Sequence, residues 1–297
     1  MTYLGRHRRG SAGGVARDDE GHQRGTRERE RRRRGLTRFE NAKRIVIKVG
    51  SSLIIGEDNL PRKDWLYSLA ADIAPLRRSK DIIVVSSGAV ALGRENLAYG
   101  RRALQLEEKQ AAAACGQIKL FALWDQVLHK EALCAAQLLL TAEDLRDHQR
   151  YSNTKNTLET LLGVKGIVPV INENDTVATA ELRFGDNDKL AAQVAQMAEA
   201  DLLILLSDVN GLYKENPNLN PHAELIREVA EITPEIEAMA GGAASGVGTG
   251  GMISKIAAAK IATGAGCPMI IMNGHRNNPI KRLAEGGDHT FFQAAGK

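Results

Sequence analysis

Arg44-Ile45-Val46-Ile47-Lys48-Val49-Gly50-Ser51-Ser52 is the stretch whose reading decides the fold. Apolar, largely β-branched residues over Arg44–Val49 predict a strand, and it ends in a Gly-Ser turn. The same grammar recurs along the chain. Asp81–Val85 predicts a buried strand running into Ser86-Ser87-Gly88. Gly166–Ile171 runs into Asn172, Asp201–Leu206 into Ser207-Asp208, and Pro268–Met272 follows later. Between them, Pro61–Arg78, Glu107–Leu128, Tyr151–Leu162, Asp186–Ala200 and Gly251–Ala262 read as helices, with Pro61 near the start of the first. Ala132–Leu139 reads as a short strand and Val177–Phe184 as a small hairpin or irregular loop. Strand, turn, helix and strand in repetition predict an α/β protein with parallel strands joined by helical crossovers. Such sheets bind ligands beyond the carboxyl ends of their strands, where these turns fall. No internal repeat interrupts the pattern.

Composition narrows the class. The chain has 297 residues, 43% of them hydrophobic but only 4% aromatic, so aliphatic side chains must fill the core. No apolar run reaches the ~18 residues that would suggest a membrane span. Cys115, Cys134 and Cys267 form no C-x-x-C pair, fitting neither a disulfide framework nor a zinc site, so a reducing cytoplasm is the expected setting. Cys115 and Cys134 are expected in the core. The formal charge of +4 is unevenly placed: the first forty residues hold twelve arginines and the remainder is net acidic. Residues 1–40 lack the apolar segment of a signal peptide and read as a disordered extension. They lack the interleaved aromatics of a base-stacking arm, so nucleic acid is not the expected partner. Residues 41–297 read as one domain.

Four groups of residues carry chemistry. Lys48, Gly50 and Ser51 end the first strand, where an ammonium and turn amides can face phosphate oxygens. Gly246–Gly251 satisfies G-x-G-x-x-G but follows an Ala/Gly loop rather than a strand, and Met252 stands where a P-loop would need lysine. Thr249, Gly250, Gly251, Met252, Ile253, Ser254 and Lys255 nonetheless open a helix whose N-terminus can hold phosphate. Ser207 and Asp208 can face a ribose or base, or form an ordinary Asx turn. Asn172, Asp175, Asn187 and Asp188, with Ser87, Gly88 and Ala89, supply carboxylates and amides suited to a small zwitterion. A carboxylate such as Asp175 suits an ammonium, and amides suit a carboxylate. Asp188 can also hold two lysine heads in position. Two cations flanking a transferring group suit phosphoryl transfer from a nucleotide to a small polar acceptor. His148 has no nucleophile to serve and reads as surface.

These motifs resemble the amino acid kinase family, and within it the enzymes that phosphorylate the γ-carboxylate of L-glutamate. The resemblance runs from about Lys43 to about Phe292. It rests on Val49–Ser52, Ser86–Glu95, Lys109-Gln110, Gly116-Gln117, Val168–Asp175, Gly185–Asp188, Leu206–Tyr213 and Gly248–Met252 ahead of Lys255. It implies an αβα three-layer sandwich around a mainly parallel central sheet, with ATP over the C-terminal half and glutamate over the N-terminal half. Lys48 and Lys255 would neutralise the transferring group and Asp188 would orient them. Ser87, Gly88, Ala89, Asn172, Asp175 and Asn187 would hold glutamate. Lys48, Gly50, Ser51, Ser207, Asp208 and Thr249 to Lys255 would line the ATP site. Mg²⁺ would be carried by the nucleotide, without a dedicated protein site.

The resemblance further implies the first step of proline biosynthesis, feedback inhibition by L-proline, handover of a labile product to glutamyl phosphate reductase, and a homo-oligomer. The C-terminal domain similar to RNA-modifying enzymes, carried by many bacterial members, is not expected here. Ser207 replaces the commoner threonine and keeps its hydroxyl. Two alternatives share much of this pattern: a kinase for N-acetylglutamate or aspartate, and a non-catalytic amino acid sensor. An acetylated substrate would lose the ammonium that gives Asp175 its purpose, and retention of both lysines speaks against a sensor.

Overall fold

In the computed structural model, which describes residues 34–100, 102–178, 187–217, 219–242 and 251–294, the Arg44–Val49 stretch forms strand β1. After its glycine come α1 (Ser51–Ile54), α2 (Lys63–Arg77), β2 (Asp81–Ser86), α3 (Ala89–Arg94) and the long α4 (Leu106–Lys130). The middle of the chain forms β3 (Cys134–Leu140), α5 (His148–Gly163), β4 (Ile167–Glu173), α6 (Asn187–Met197) and β5 (Leu202–Ser207). Short strands β6 (Leu212–Tyr213), β7 (Leu225–Ile226) and β8 (Glu228–Val229) follow. The last elements are α7 (Pro234–Gly242), α8 (Met252–Gly264), β9 (Met269–Asn273), α9 (Pro279–Ala284) and β10 (His289–Phe292).

Among the described residues, eight strands build one sheet in the order β3-β4-β2-β1-β5-β9-β10-β8, and β6 pairs with β7 separately. Every pairing from β3 to β9 is parallel, while β10 returns antiparallel to β9. The strand order reverses at β1, which has β2 on one side and β5 on the other, so the crevice for ligands opens at the carboxyl ends of these strands.

The sheet is covered on both faces, and side-chain parity decides which face each residue serves. Ile45, Ile47 and Val49 of β1 enter one apolar layer together with residues of α2, α4 and α9. Val46 enters the other, with residues of α5, α6 and α8. β2 and β5 divide in the same way: Val84 and Leu206 to the first layer, Val85 and Leu205 to the second. Burial on both sides explains why these strands are apolar at nearly every position. It also places Lys48, which shares the parity of Val46, on the side of α6 and α8.

Glycine lets α3 touch α4 backbone to backbone. A Cβ on Gly93 would lie 1.8 Å from the Ala112 carbonyl oxygen, and one on Gly116 would lie 1.8 Å from that of Ala89. Gly116→Ala must therefore push the two helices apart. Denaturant unfolding is expected to show a loss of at least about 1–3 kcal/mol. An unchanged midpoint would mean that the helices separate freely.

Several expectations need correction. Residues 34–40, placed in the disordered extension, form a helix that continues to residue 41, and its Phe39 is buried in the first apolar layer. Residues 1–33 lie outside the described residues. Pro61 does not begin α2; it pairs with Ile55 in an antiparallel bridge, and the helix starts at Lys63. Cys134, expected in the core, is exposed because β3 is an edge strand and this residue opens it. Cys115 is only half-buried, while Cys267 is buried. His148 is exposed as expected. Val177 lies in a turn, and residues 179–184 of the possible hairpin fall outside the described residues. Among the described residues no helix is long and apolar enough to cross a membrane.

Candidate active site

Three elements converge on one carboxylate. Lys48 projects from β1, Asp188 from the first turn of α6, and Lys255 from the first turn of α8. Lys48 Nζ lies 2.5 Å from Asp188 Oδ1, and Lys255 Nζ donates to Asp188 Oδ2 at 3.1 Å. Asp188 is fully buried, and both lysines are nearly so. Burial alone would raise the Asp188 carboxyl pKa, but the charges of Lys48 and Lys255 outweigh it and hold the group below its ordinary range. Among the described residues, one carboxylate thus stands between two ammonium groups. Its two carboxylate oxygens each face an ammonium, so Asp188 is committed to the lysines.

The helix that delivers Lys255 has an open N-terminus. Gly251 caps α8 with extended backbone and no side-chain hydrogen bond, and no acidic residue lies in the first turn. Helix amides and dipole there favour an anion. Ser254 Oγ, in the same turn, is buried with no hydrogen-bond partner among the described residues. A buried hydroxyl left in this way suits a polar ligand arriving at the helix end. Gly50 follows Lys48, and a Cβ on it would stand 3.8 Å from the Lys48 ammonium. Ser51 is exposed beside it. Ser207 Oγ donates to Asp208 Oδ1 at 2.9 Å, and Gly274 N–H donates to the Ser207 carbonyl at 2.8 Å. Met252 is half-buried, whereas Ile253 is exposed. Thr249 and Gly250 lie outside the described residues, as do Gly185 and Asp186.

Across the crevice, amides form a second cluster. Asn187 Nδ2 donates to the Ser86 carbonyl at 2.8 Å, Ser87 Oγ at 2.9 Å and Asn172 Oδ1 at 2.8 Å. Gly88 adopts the left-handed backbone, with φ of 114°, and caps α3 at Ala89. That conformation turns the chain sharply after β2 and is open to glycine without strain. Asp175 sits half-buried in the turn after β4. The structure thus joins Ser87, Asn172 and Asn187 directly, and α6 links them to the lysine cluster through neighbouring Asn187 and Asp188.

Gln117 was given no task by the sequence, although the Gly116-Gln117 pair was noted. Its Oε1 accepts from Asn172 Nδ2 at 2.7 Å, a contact spanning 55 residues of chain. The readable signal was its place directly after a glycine that brings α4 against α3.

The sequence matches the amino acid kinase family over residues 43–273. A protein named glutamate 5-kinase from Rhizobium rhizogenes is 52% identical over 265 residues, covering 89% of this chain and 67% of that one. Another of that name from Rhodopseudomonas palustris is 54% identical over 257 residues, covering 86% and 68%. Among solved structures, UMP kinase from Ureaplasma parvum matches in fold with a TM-score of 0.58 at 16% identity, covering 84% of this chain and 98% of the other. With three independently delivered charges meeting at the crevice of a mainly parallel sheet, and with most of its length matched, the chain belongs to the amino acid kinase family.

Proposed function

We propose that this protein transfers the γ-phosphoryl group of ATP to the γ-carboxylate of L-glutamate, forming L-glutamyl 5-phosphate and ADP, the first step of proline biosynthesis. The observation that carries the reading is the buried Lys48–Asp188–Lys255 cluster, set beside the Ser87–Asn187–Asn172 cluster on the same helix start. The identity to proteins named glutamate 5-kinase supports glutamate as the acceptor.

In this reaction a γ-carboxylate oxygen attacks the γ-phosphorus in line, and the bond to the β–γ bridging oxygen breaks. The nucleophile is already ionised at neutral pH, so no general base is required. Asp188, held by two ammoniums, is free to orient them rather than to take a proton. Lys48 and Lys255 offset the charge that grows on the bridging and equatorial oxygens. Amides at the start of α8, Gly50 and Ser51, and the polar groups of Ser207 and Asp208 hold the nucleotide. Mg²⁺ travels with the nucleotide phosphates, which supply most of its ligands, and lends further neutralisation when bound. Ser87, Gly88, Ala89, Asn172, Asp175 and Asn187 hold the amino acid, with Asp175 answering its ammonium.

The product is an acyl phosphate and hydrolyses readily, which gives a motive for prompt handover to glutamyl phosphate reductase. Inhibition by L-proline near the glutamate site, assembly into a homo-oligomer and a cytoplasmic setting complete the proposal. A hydroxamate-trapping assay with ATP and Mg²⁺ tests the central claim. Glutamate is expected to yield hydroxamate, while N-acetylglutamate and aspartate yield at most a small fraction of it. Equal or greater yield with the acetylated substrate would overturn the assignment, as would no ATP consumption with glutamate.

A further inference from the structure

We propose that Gln117 is a substrate-positioning residue: it closes a polarised row of amides that makes Asn187 present an oxygen, and Ser87 a hydroxyl hydrogen, to the bound amino acid. The inference rests on the reading of the crevice as an amino acid site. It begins at the Ser86 main-chain carbonyl, which can only accept hydrogen bonds. The Asn187 atom that faces it at 2.8 Å must be the nitrogen, so the orientation of this amide is dictated by chemistry. The same nitrogen faces Asn172 at 2.8 Å, and the Asn172 atom opposite must be the oxygen. Asn172 then turns its own nitrogen to Gln117, where Oε1 receives it at 2.7 Å. Polarity is therefore passed in one direction through three amides, from strand β2 across β4 to helix α4.

Two consequences reach the ligand side. The Asn187 nitrogen has two hydrogens and three acceptors around it, so its remaining capacity lies on Oδ1, an acceptor suited to an ammonium. Ser87 Oγ already accepts from Asn187 at 2.9 Å, which directs its hydrogen elsewhere, toward a carboxylate. Asn172 reinforces both presentations: turned over, its nitrogen would face the Asn187 nitrogen, donor against donor, and displace the amide. Asn172 is buried, with 3% of its surface exposed, so it has little recourse to water. Without the Gln117 oxygen, its Nδ2 would be a buried donor lacking an acceptor, and the side chain would gain by turning away from Asn187. Gln117 itself is half-buried, so the main cost of replacing it falls on the Asn172 donor it leaves.

The test compares wild type, Gln117→Met and Gln117→Glu in an ADP-coupled assay with saturating ATP and varied glutamate, and the converse. Methionine keeps the length and removes the acceptor; glutamate keeps an acceptor oxygen for Asn172. Gln117→Met is expected to raise the glutamate KM about tenfold, about 1.4 kcal/mol of binding, with the ATP KM unmoved and the melting temperature lowered by a few degrees at most. Gln117→Glu is expected to recover most of that loss. A glutamate KM within about twofold of wild type in Gln117→Met would overturn the proposal. So would a Gln117→Glu enzyme as impaired as Gln117→Met, or an ATP KM that rises as much as the glutamate KM. Turnover of glutamate by the wild-type enzyme decides separately whether the reading beneath this proposal holds.

Discussion

Replacing Lys255 with alanine is expected to lower kcat by about two to three orders of magnitude, the usual scale for losing one preorganised group that meets developing charge. The glutamate KM should stay near its wild-type value. The reason is geometric: the Ser87–Asn187–Asn172 cluster is built on β2, β4 and the start of α6, and its bonds run to the Ser86 carbonyl and Gln117 rather than to Lys255. Lys255 instead touches Asp188, the one anion of the charge cluster. Loss of kcat without loss of glutamate binding identifies an interaction realised in the transition state. Unchanged turnover in the ADP-coupled assay would remove Lys255 from this role.

Asp188→Asn should be damaging in a second way. An amide can offer one oxygen to one lysine, but its NH₂ then faces the other ammonium, donor against donor. Lys48 and Lys255 are both buried, so neither can retreat fully to water. Breaking a buried ion pair by removing one partner costs about 3–5 kcal/mol, and the displaced lysines should bring kcat down as well. Acid adds a sharper signature. The Asp188 pKa is lowered from its ordinary 3.8 in the folded protein. Across that window the native state binds fewer protons than the unfolded chain, so stability rises with pH. The contribution is complete above 3.8 and disappears as pH falls through the lowered value. Denaturant unfolding from pH 5 downward should therefore decline less steeply in Asp188→Asn than in wild type. Parallel declines would mean that Asp188 carries no pH-linked stability.

Much of this architecture was legible because parallel strands buried on both faces leave long apolar runs. β1, β2, β4, β5 and β9 each lie within a residue or two of where their composition put them, and the crossovers α4, α5, α6 and α8 could be read from helical patterning. What escaped was short or held by distant contacts. α3 spans six residues and is pinned by the glycine contacts with α4, which no local pattern announces. β10 has four residues, and its direction depends on pairing with β9. The helix over residues 34–41 hid behind an arginine-rich composition that extends into it. In the site, the lysines and Asp188 were readable from charge at strand and helix ends. Gln117 was not, because its meaning comes from a partner 55 residues away.

The helix over residues 34–41 bears on how this protein should be trimmed for laboratory work. The family match begins at residue 43, which invites a gene truncated there. Yet Phe39 is buried against the sheet layer, Arg34 reaches Glu228 at 3.2 Å, and Lys80 grips the carbonyls of Glu40 and Ala42 at 2.6 Å each. Cutting where the family match begins would strip an apolar plug and leave greasy surface bare to solvent. The folded unit starts upstream of the family match, and the cloning primer belongs before Arg34.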